Sequence, residues 1–278
     1  MKISETILVV LSDMHTGGKT ALFPPKFQGG GHEDNLILPN ERQKEIRPVF
    51  VRLAGEVSIA RKGRRVILVN LGDAIDGFHH GSLQETLFKT NEQCDAHVLL
   101  MDEFMHKIGW NKADELYYVK GTETHVGDDE EKIAKQLGAK KSSNGTFIHD
   151  ILELNINGTN HLFFHHGKER GSGQNEGNSL RNYLRDLRDE RRKEGLRPID
   201  FVWSGHTHGH TYNTHVVRMN GSFHVLHGVI CPSFQAKTRY AYGKVPTAIN
   251  SVGGVYLYIS VDGRMGEPKF VTQITEDK

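Results

Sequence analysis

Short apolar runs rich in β-branched residues recur along most of the chain: Thr6 to Leu11, Val66 to Leu71, Leu116 to Val119, Ile148 to Ile156, His161 to His165 and Phe201 to Ser204. Stretches of helical spacing separate several of them. Leu83 to Ile108 carries Leu87, Val98, Leu99, Met101, Met105 and Ile108, and Ser179 to Glu194 repeats Leu180, Tyr183, Leu184 and Leu187 on one face. Asp128 with Glu131 forms a capping-box pattern ahead of Ile133, Ala134 and Leu137. This alternation restricts the chain to an α/β layered fold wound from βαβ units. The tail differs, because Asn220-Gly221 between Thr211 to Met219 and Ser222 to Ile230 is a hairpin signal, and Asp262-Gly263 separates Gly254 to Val261 from Lys269 to Ile274. An antiparallel tail is therefore expected. Gly17 to Asn40, with five Gly and three Pro, and Gly167 to Asn178, with four Gly, read as long loops. With no internal repeat and no linker, one domain over residues 1–278 is expected, with loop insertions at about 17–40 and 167–194.

Composition narrows the partners. The 35 Lys plus Arg nearly cancel the 34 Asp plus Glu, which argues against a surface built wholly for polyanions. A local excess remains from Lys168 to Arg197, where nine Lys plus Arg face six Asp plus Glu, so nucleic acid is a possible partner through 168–197. Cys94 and Cys231 make neither a disulfide framework nor a CxxC knuckle, which fits a reducing compartment. The apolar run after Lys2 is too short for a signal peptide and no run reaches the length of a membrane span, so a cytoplasmic chain with no membrane contact is expected; its oligomeric state is open. The outlier is histidine, with 17 copies.

The residues just after the strands carry the chemistry. They are Asp13-Met14-His15, Gly72-Asp73-Ala74-Ile75-Asp76-Gly77, Gly121-Thr122-Glu123-Thr124-His125, His165-His166-Gly167 and Gly205-His206-Thr207-His208. In open α/β sheets ligands bind beyond the carboxyl ends of strands, so these clusters converge on one site of carboxylates and imidazoles. Such a mixture suits Mn²⁺, Fe or Zn²⁺ better than Ca²⁺ or Mg²⁺. Asp13 with His15, and His206 with His208, stand two residues apart and can face one ion. The surplus of donors points to two ions sharing a carboxylate, an arrangement that activates water for phosphoryl displacement.

In their order and spacing from residue 13 to residue 208 these motifs resemble the calcineurin-like metallophosphoesterases, whose signature runs DxH, GDxxD, GNH(D/E), a His before Gly, and GHxH. The resemblance implies a double β-sheet sandwich flanked by helices and two divalent ions, Mn²⁺ first, with Fe or Zn²⁺ as alternatives. It further implies a phosphodiester or phosphomonoester substrate hydrolysed by metal-bound hydroxide. By the same resemblance one ion takes Asp13, His15, Asp73 and His208, and the other takes Asp73, His166 and His206, with Asp73 bridging. His125 then protonates the leaving oxygen and Asp76 orients His125. His165 is read as a core or supporting residue rather than a ligand.

The chain departs from the signature in two places. Gly121 to His125 is two residues longer than Gly-Asn-His and lacks the asparagine that ligates the second ion, so Glu123 or water would supply that oxygen. Gly77 follows Asp76 directly where the protein-phosphatase branch has Arg-Gly, which argues against a phosphoprotein phosphatase. Two other readings stand beside the phosphoesterase. One is a DNA or RNA nuclease of the same superfamily using the arginines of the 179–194 helix, and the other is a non-catalytic scaffold that kept the fold. For most of the remaining histidines, His79, His80, His210, His215 and His224, a solvated or packing role is the commoner fate; His227, before Gly228, is a weaker candidate to reach the site.

Overall fold

A computed structural model of the chain describes residues 4–31, 35–78, 85–123, 127–166, 177–219, 221–238 and 251–274. The protein is α/β. Its larger sheet comprises β1 (Thr6–Leu11), β4 (Arg65–Asn70), β5 (Glu115–Val119), β6 (Ile148–His149), β12 (Ser251–Ile259) and β13 (Lys269–Ile274), in the order β13-β12-β1-β4-β5-β6. The strands β1, β4, β5 and β6 run parallel, while β12 and β13 add antiparallel. The smaller sheet comprises β7 (Leu152–Ile156), β8 (Thr159–His166), β9 (Phe201–Gly205), β10 (Thr211–Met219) and β11 (Ser222–Ile230), in the order β10-β11-β9-β8-β7. Here β8, β9 and β11 are parallel, and β7 and β10 close the two edges antiparallel.

The sheets face each other across an apolar layer. Leu8, Val10, Ile67, Val69 and Leu257 of the larger sheet meet Phe163, Phe201, Trp203 and Val229 of the smaller. Outside the larger sheet lie α1 (Glu41–Arg61), α2 (Thr90–Lys107) and α3 (Asp129–Gln136), packed through Phe50, Leu53, Met101, Phe104 and Ile133. Outside the smaller sheet lies α4 (Asn178–Lys193), which covers Leu162, Ile199 and Val202 with Leu184. The central strands β1, β4, β9 and β12 are buried on both faces, which is why β1 reads as a continuous apolar run rather than an alternation.

Several expectations need adjustment. The run Ile148 to Ile156 is two strands, because the chain leaves the larger sheet after His149, exposes Ile151, and enters the smaller sheet at Leu152. Helix α1 was not anticipated. Its buried positions Ile46, Val49, Phe50, Leu53, Ala54 and Val57 form a helical stripe, and Pro48 is tolerated within it on the exposed side. Asn40 and Gln43 cap its start reciprocally. The capping box expected at Asp128 does not form; Asp128 makes no side-chain cap bond, and Glu131 instead accepts the amides of Phe147 and Ile148. The 17–40 segment holds a small strand pair, β2 (Phe27–Gln28) with β3 (Leu36–Ile37), and seats Phe23 and Phe27 against Leu87 and Ala96. Most of the 167–178 loop lies outside the described residues. The β10–β11 pairing runs through Met219 and Ser222, as the hairpin signal requires.

At the end of the larger sheet opposite the site, Asp114 joins three elements. It accepts from the Val66 amide at 2.8 Å, the Asn111 amide at 2.7 Å and the Arg61 guanidinium at 2.7 Å. Removing one member of a buried pair strands the other charge, so Asp114→Ala should cost about 3 kcal/mol of unfolding free energy in denaturant titration. Divalent-metal affinity should be unchanged, because the site lies at the other end of the strands.

Candidate metal centre

The carboxyl ends of β1, β4, β5, β8 and β9 open onto one place. Backbone bonds couple the first two loops: Asp13 N donates to Gly72 O at 3.1 Å and His15 N to Asp73 O at 2.9 Å. Close approach explains the glycines that precede the polar residues. A Cβ on Gly121 would stand 2.3 Å from Asp73 N, and one on Gly205 would stand 2.2 Å from Ser12 Oγ. Among the described residues, seven non-glycine positions have positive φ, and five of them are Asp13, His15, Asp73, His206 and His208. Each such backbone costs on the order of 1–3 kcal/mol, and such strain clusters where function requires it.

Two groups of side chains have ligand atoms within 4.8 Å of one another: Asp13, Asp73, His165 and His206, and Asp13, His15 and His208. Both can hold a metal ion. Asp13 is fully buried; its Oδ2 accepts from Ser12 Oγ and from His206 N, while Oδ1 has no hydrogen-bond donor. That bare oxygen lies 3.5 Å from His208 Nε2, 3.9 Å from His165 Nε2 and 4.0 Å from His15 Nε2. A buried carboxylate oxygen among imidazole nitrogens, with no donor of its own, fits a cation. Asp73 Oδ2 sits 3.1 Å from His165 Nε2 and 3.7 Å from His15 Nε2. The carboxylate common to both groups is thus Asp13, with Asp73 also lying between rings of the two groups.

Neighbours set the ring orientations. His165 Nδ1 lies 2.6 Å from Leu71 O, so Nδ1 carries the hydrogen and Nε2 faces the carboxylates. His15 Nδ1 lies 3.2 Å from Asp76 Oδ1, which also accepts from Gln235 Nε2 at 3.1 Å.

Electrostatics agree with a cation site. Burial opposes charge on Asp13, yet His165, His208 and His15 hold its carboxyl well below the usual range, and Asp73 behaves likewise through His165 and His15. Burial would keep His165 neutral, but Asp13, Asp73 and Glu130 outweigh it and push the ring up to about 10. His15 is raised too, Asp76 and Asp73 overcoming its burial. Burial, joined by His165 and His166, takes His206 down to about 4 despite Asp13. Ring protons thus supply the positive charge that the carboxylates demand.

The structure places several residues expected from sequence differently, and the carboxylate common to both groups is Asp13 rather than Asp73. His165, not His166, joins the group: strand alternation turns His165 inward with Phe163 and leaves His166 on the outer face with Phe164, exposed, its ring 4.5 Å from that of His206. Glu123 points away, its side chain 81% exposed and 3.1 Å from Lys120 Nζ. Asp76 holds His15. His125, with His79 and His80, lies outside the described residues. None of the hairpin histidines enters either group; His227 stacks on Phe201 at 4.4 Å and His210 bonds Ser251 Oγ at 2.7 Å.

Two contributors take roles that the sequence motifs do not assign them. Thr122 donates its amide to Asp73 Oδ1 at 2.6 Å. Glu130, in an acidic run that reads as a solvated helix start, is buried and accepts from Ala74 N at 3.1 Å and Gly121 N at 2.7 Å, clamping the β4 and β5 loops together. Burial pushes its carboxyl up to about 7. On α4, Arg185 pairs with Asp186, Arg188 with Asp189 and Arg191 with Glu153.

No family model and no curated protein matches the chain. Among solved structures, Thermotoga maritima protein TM1076, a solution NMR structure, is 14% identical with a TM-score of 0.30, over 97% of this chain and 99% of that one. Protein AQ665 of unknown function from Aquifex aeolicus is 13% identical with a TM-score of 0.30, over 73% of this chain and 80% of its own. Likeness at that level bears on neither fold nor function. Among the described residues no helix is long and apolar enough to cross a membrane.

Since a metal must displace the ring protons, Mn²⁺ binding should release protons and weaken as pH is lowered from about 8 to about 6. Calorimetric titration in two buffers of different ionisation enthalpy reads that release directly. Asp76→Ala, which frees His15 to rotate, should lower metal affinity about 10- to 100-fold in the same titration.

Proposed function

We propose that the chain is a dinuclear metal-dependent phosphoesterase of the calcineurin-like type, hydrolysing a phosphodiester or phosphomonoester. The observation that carries this reading is the pair of donor groups sharing buried Asp13 at the carboxyl ends of strands from two facing sheets. Two facing sheets with helices on both outer sides support this reading. His15 and His208 with Asp13 would hold one ion, and Asp73, His165 and His206 would hold the other. Mixed carboxylate and imidazole donors suit Mn²⁺, Fe or Zn²⁺, with Mn²⁺ the first choice by the family resemblance. When bound, two such ions lower the pKa of water and neutralise phosphoryl oxygens.

The chain's own residues do the rest. Ser12 and the His206 amide fix the Asp13 carboxylate, and Asp76 fixes His15. His206 and His208 are the less buried ligands, so substrate enters from their side, with exposed His166 at the rim. His125 gives its proton to the leaving oxygen. A small ester is favoured over long nucleic acid, because Arg185, Arg188 and Arg191 spend their charge on neighbouring carboxylates.

The test is hydrolysis of p-nitrophenyl mono- and diesters by the purified protein with Mn²⁺; absence of turnover on every ester, with both ions bound, would sink the reading. His125→Ala should keep metal yet lose on the order of 10²- to 10⁴-fold in rate on esters of poor leaving groups and much less on p-nitrophenyl esters. Equal losses on both would remove His125 from proton donation.

A further inference from the structure

Three atoms on three different strand ends form a small triangle. Thr122 Oγ1 lies 3.2 Å from Asp73 Oδ2 and 3.4 Å from His165 Nε2, and those two lie 3.1 Å apart. Around an ion with bonds of about 2.1 Å, donors on adjacent vertices stand about 3.0 Å apart in an octahedron and about 3.4 Å apart in a tetrahedron. The triangle has the dimensions of one face of a coordination shell.

We propose that the Thr122 hydroxyl is a ligand of the ion held by Asp73, His165 and His206, the neutral oxygen of that second site. This rests on the two-ion reading above and names a donor within it. The hydroxyl is placed by its backbone: Glu130 anchors Gly121 N, Thr122 N is bound to Asp73 Oδ1, and Gly121 leaves no room for a side chain against Asp73. Because the amide occupies Asp73 Oδ1, the carboxylate presents Oδ2 to the ion, the oxygen beside Thr122 Oγ1. The neighbouring acid, Glu123, is turned to Lys120 and leaves the position to the hydroxyl. A neutral donor there adds no negative charge, so this second ion is more readily lost than one completed by a carboxylate.

Thr122→Val keeps the shape and removes only the hydroxyl. In calorimetric Mn²⁺ titration of the whole chain, it should bind one ion as the natural protein does and the other at least about tenfold more weakly. Electron paramagnetic resonance should then report an isolated ion in place of a coupled pair. Two ions at unchanged affinity in Thr122→Val would overturn the proposal while leaving the phosphoesterase reading intact. A natural protein that binds fewer than two ions would overturn both. Should Thr122→Val fail to fold, Thr122→Ser and Thr122→Ala both lose the methyl and differ in the hydroxyl. Retention of the second ion by Ser and its loss by Ala supports the ligand role, and equal behaviour refutes it.

Discussion

The arrangement depends on one constraint, the burial of two carboxylates, Asp13 and Asp73, where the strand ends of two sheets meet. A charge removed from water must be met by opposite charge or by donors. Here both occur: Ser12 and the His206 amide take one oxygen of Asp13, Thr122 takes Asp73, and a ring of imidazoles faces what is left. The unsatisfied oxygen of Asp13 and the raised pKa values of His15 and His165 are two expressions of the same demand for positive charge.

Meeting that demand requires unusual backbone. Left-handed conformations at Asp13, His15, Asp73, His206 and His208 turn side chains back over the strand ends instead of letting them follow the strand outward. Loop-to-loop bonds oppose the strain, and the buried Glu130 carboxylate clamps two of the loops through their amides. Behind them the inter-sheet layer around Phe163 and Trp203 holds the two sheets in a fixed relation, so ligands from both meet within bonding reach. Stability of the core is in this way spent on geometry at one edge.

Much of this was legible from the chain alone. Apolar runs located nearly every strand of the two large sheets, most plainly the central β1, β4, β9 and β12, because a strand buried on both faces is apolar throughout. Helix α1 escaped the sequence reading although Ile46 to Val57 form a helical stripe, because Pro48 interrupts the pattern and only the fold shows it on the exposed side. The polar residues after the strands located Asp13, His15, Asp73, His206 and His208, since only a site explains carboxylates and imidazoles at several strand ends at once. The glycines before Asp73, Thr122 and His206 were visible as motif letters, while their reason, backbone contact between loops, was not.

Sequence by itself determined the α/β fold class, the strand ends that gather carboxylates and imidazoles and the donor types available there, since periodicity and residue chemistry are local properties. Tertiary structure alone decided which of two adjacent histidines faces inward, because both faces of β8 are apolar up to Phe164 and only the packing tells which of them meets the other sheet. It alone turned Glu123 out to Lys120, gave Asp76 to His15, brought Thr122 against Asp73 and buried Glu130 from an acidic run that looks solvated. Each of these depends on how one loop lies against another far away in the chain, and residue order carries no direct record of such contacts.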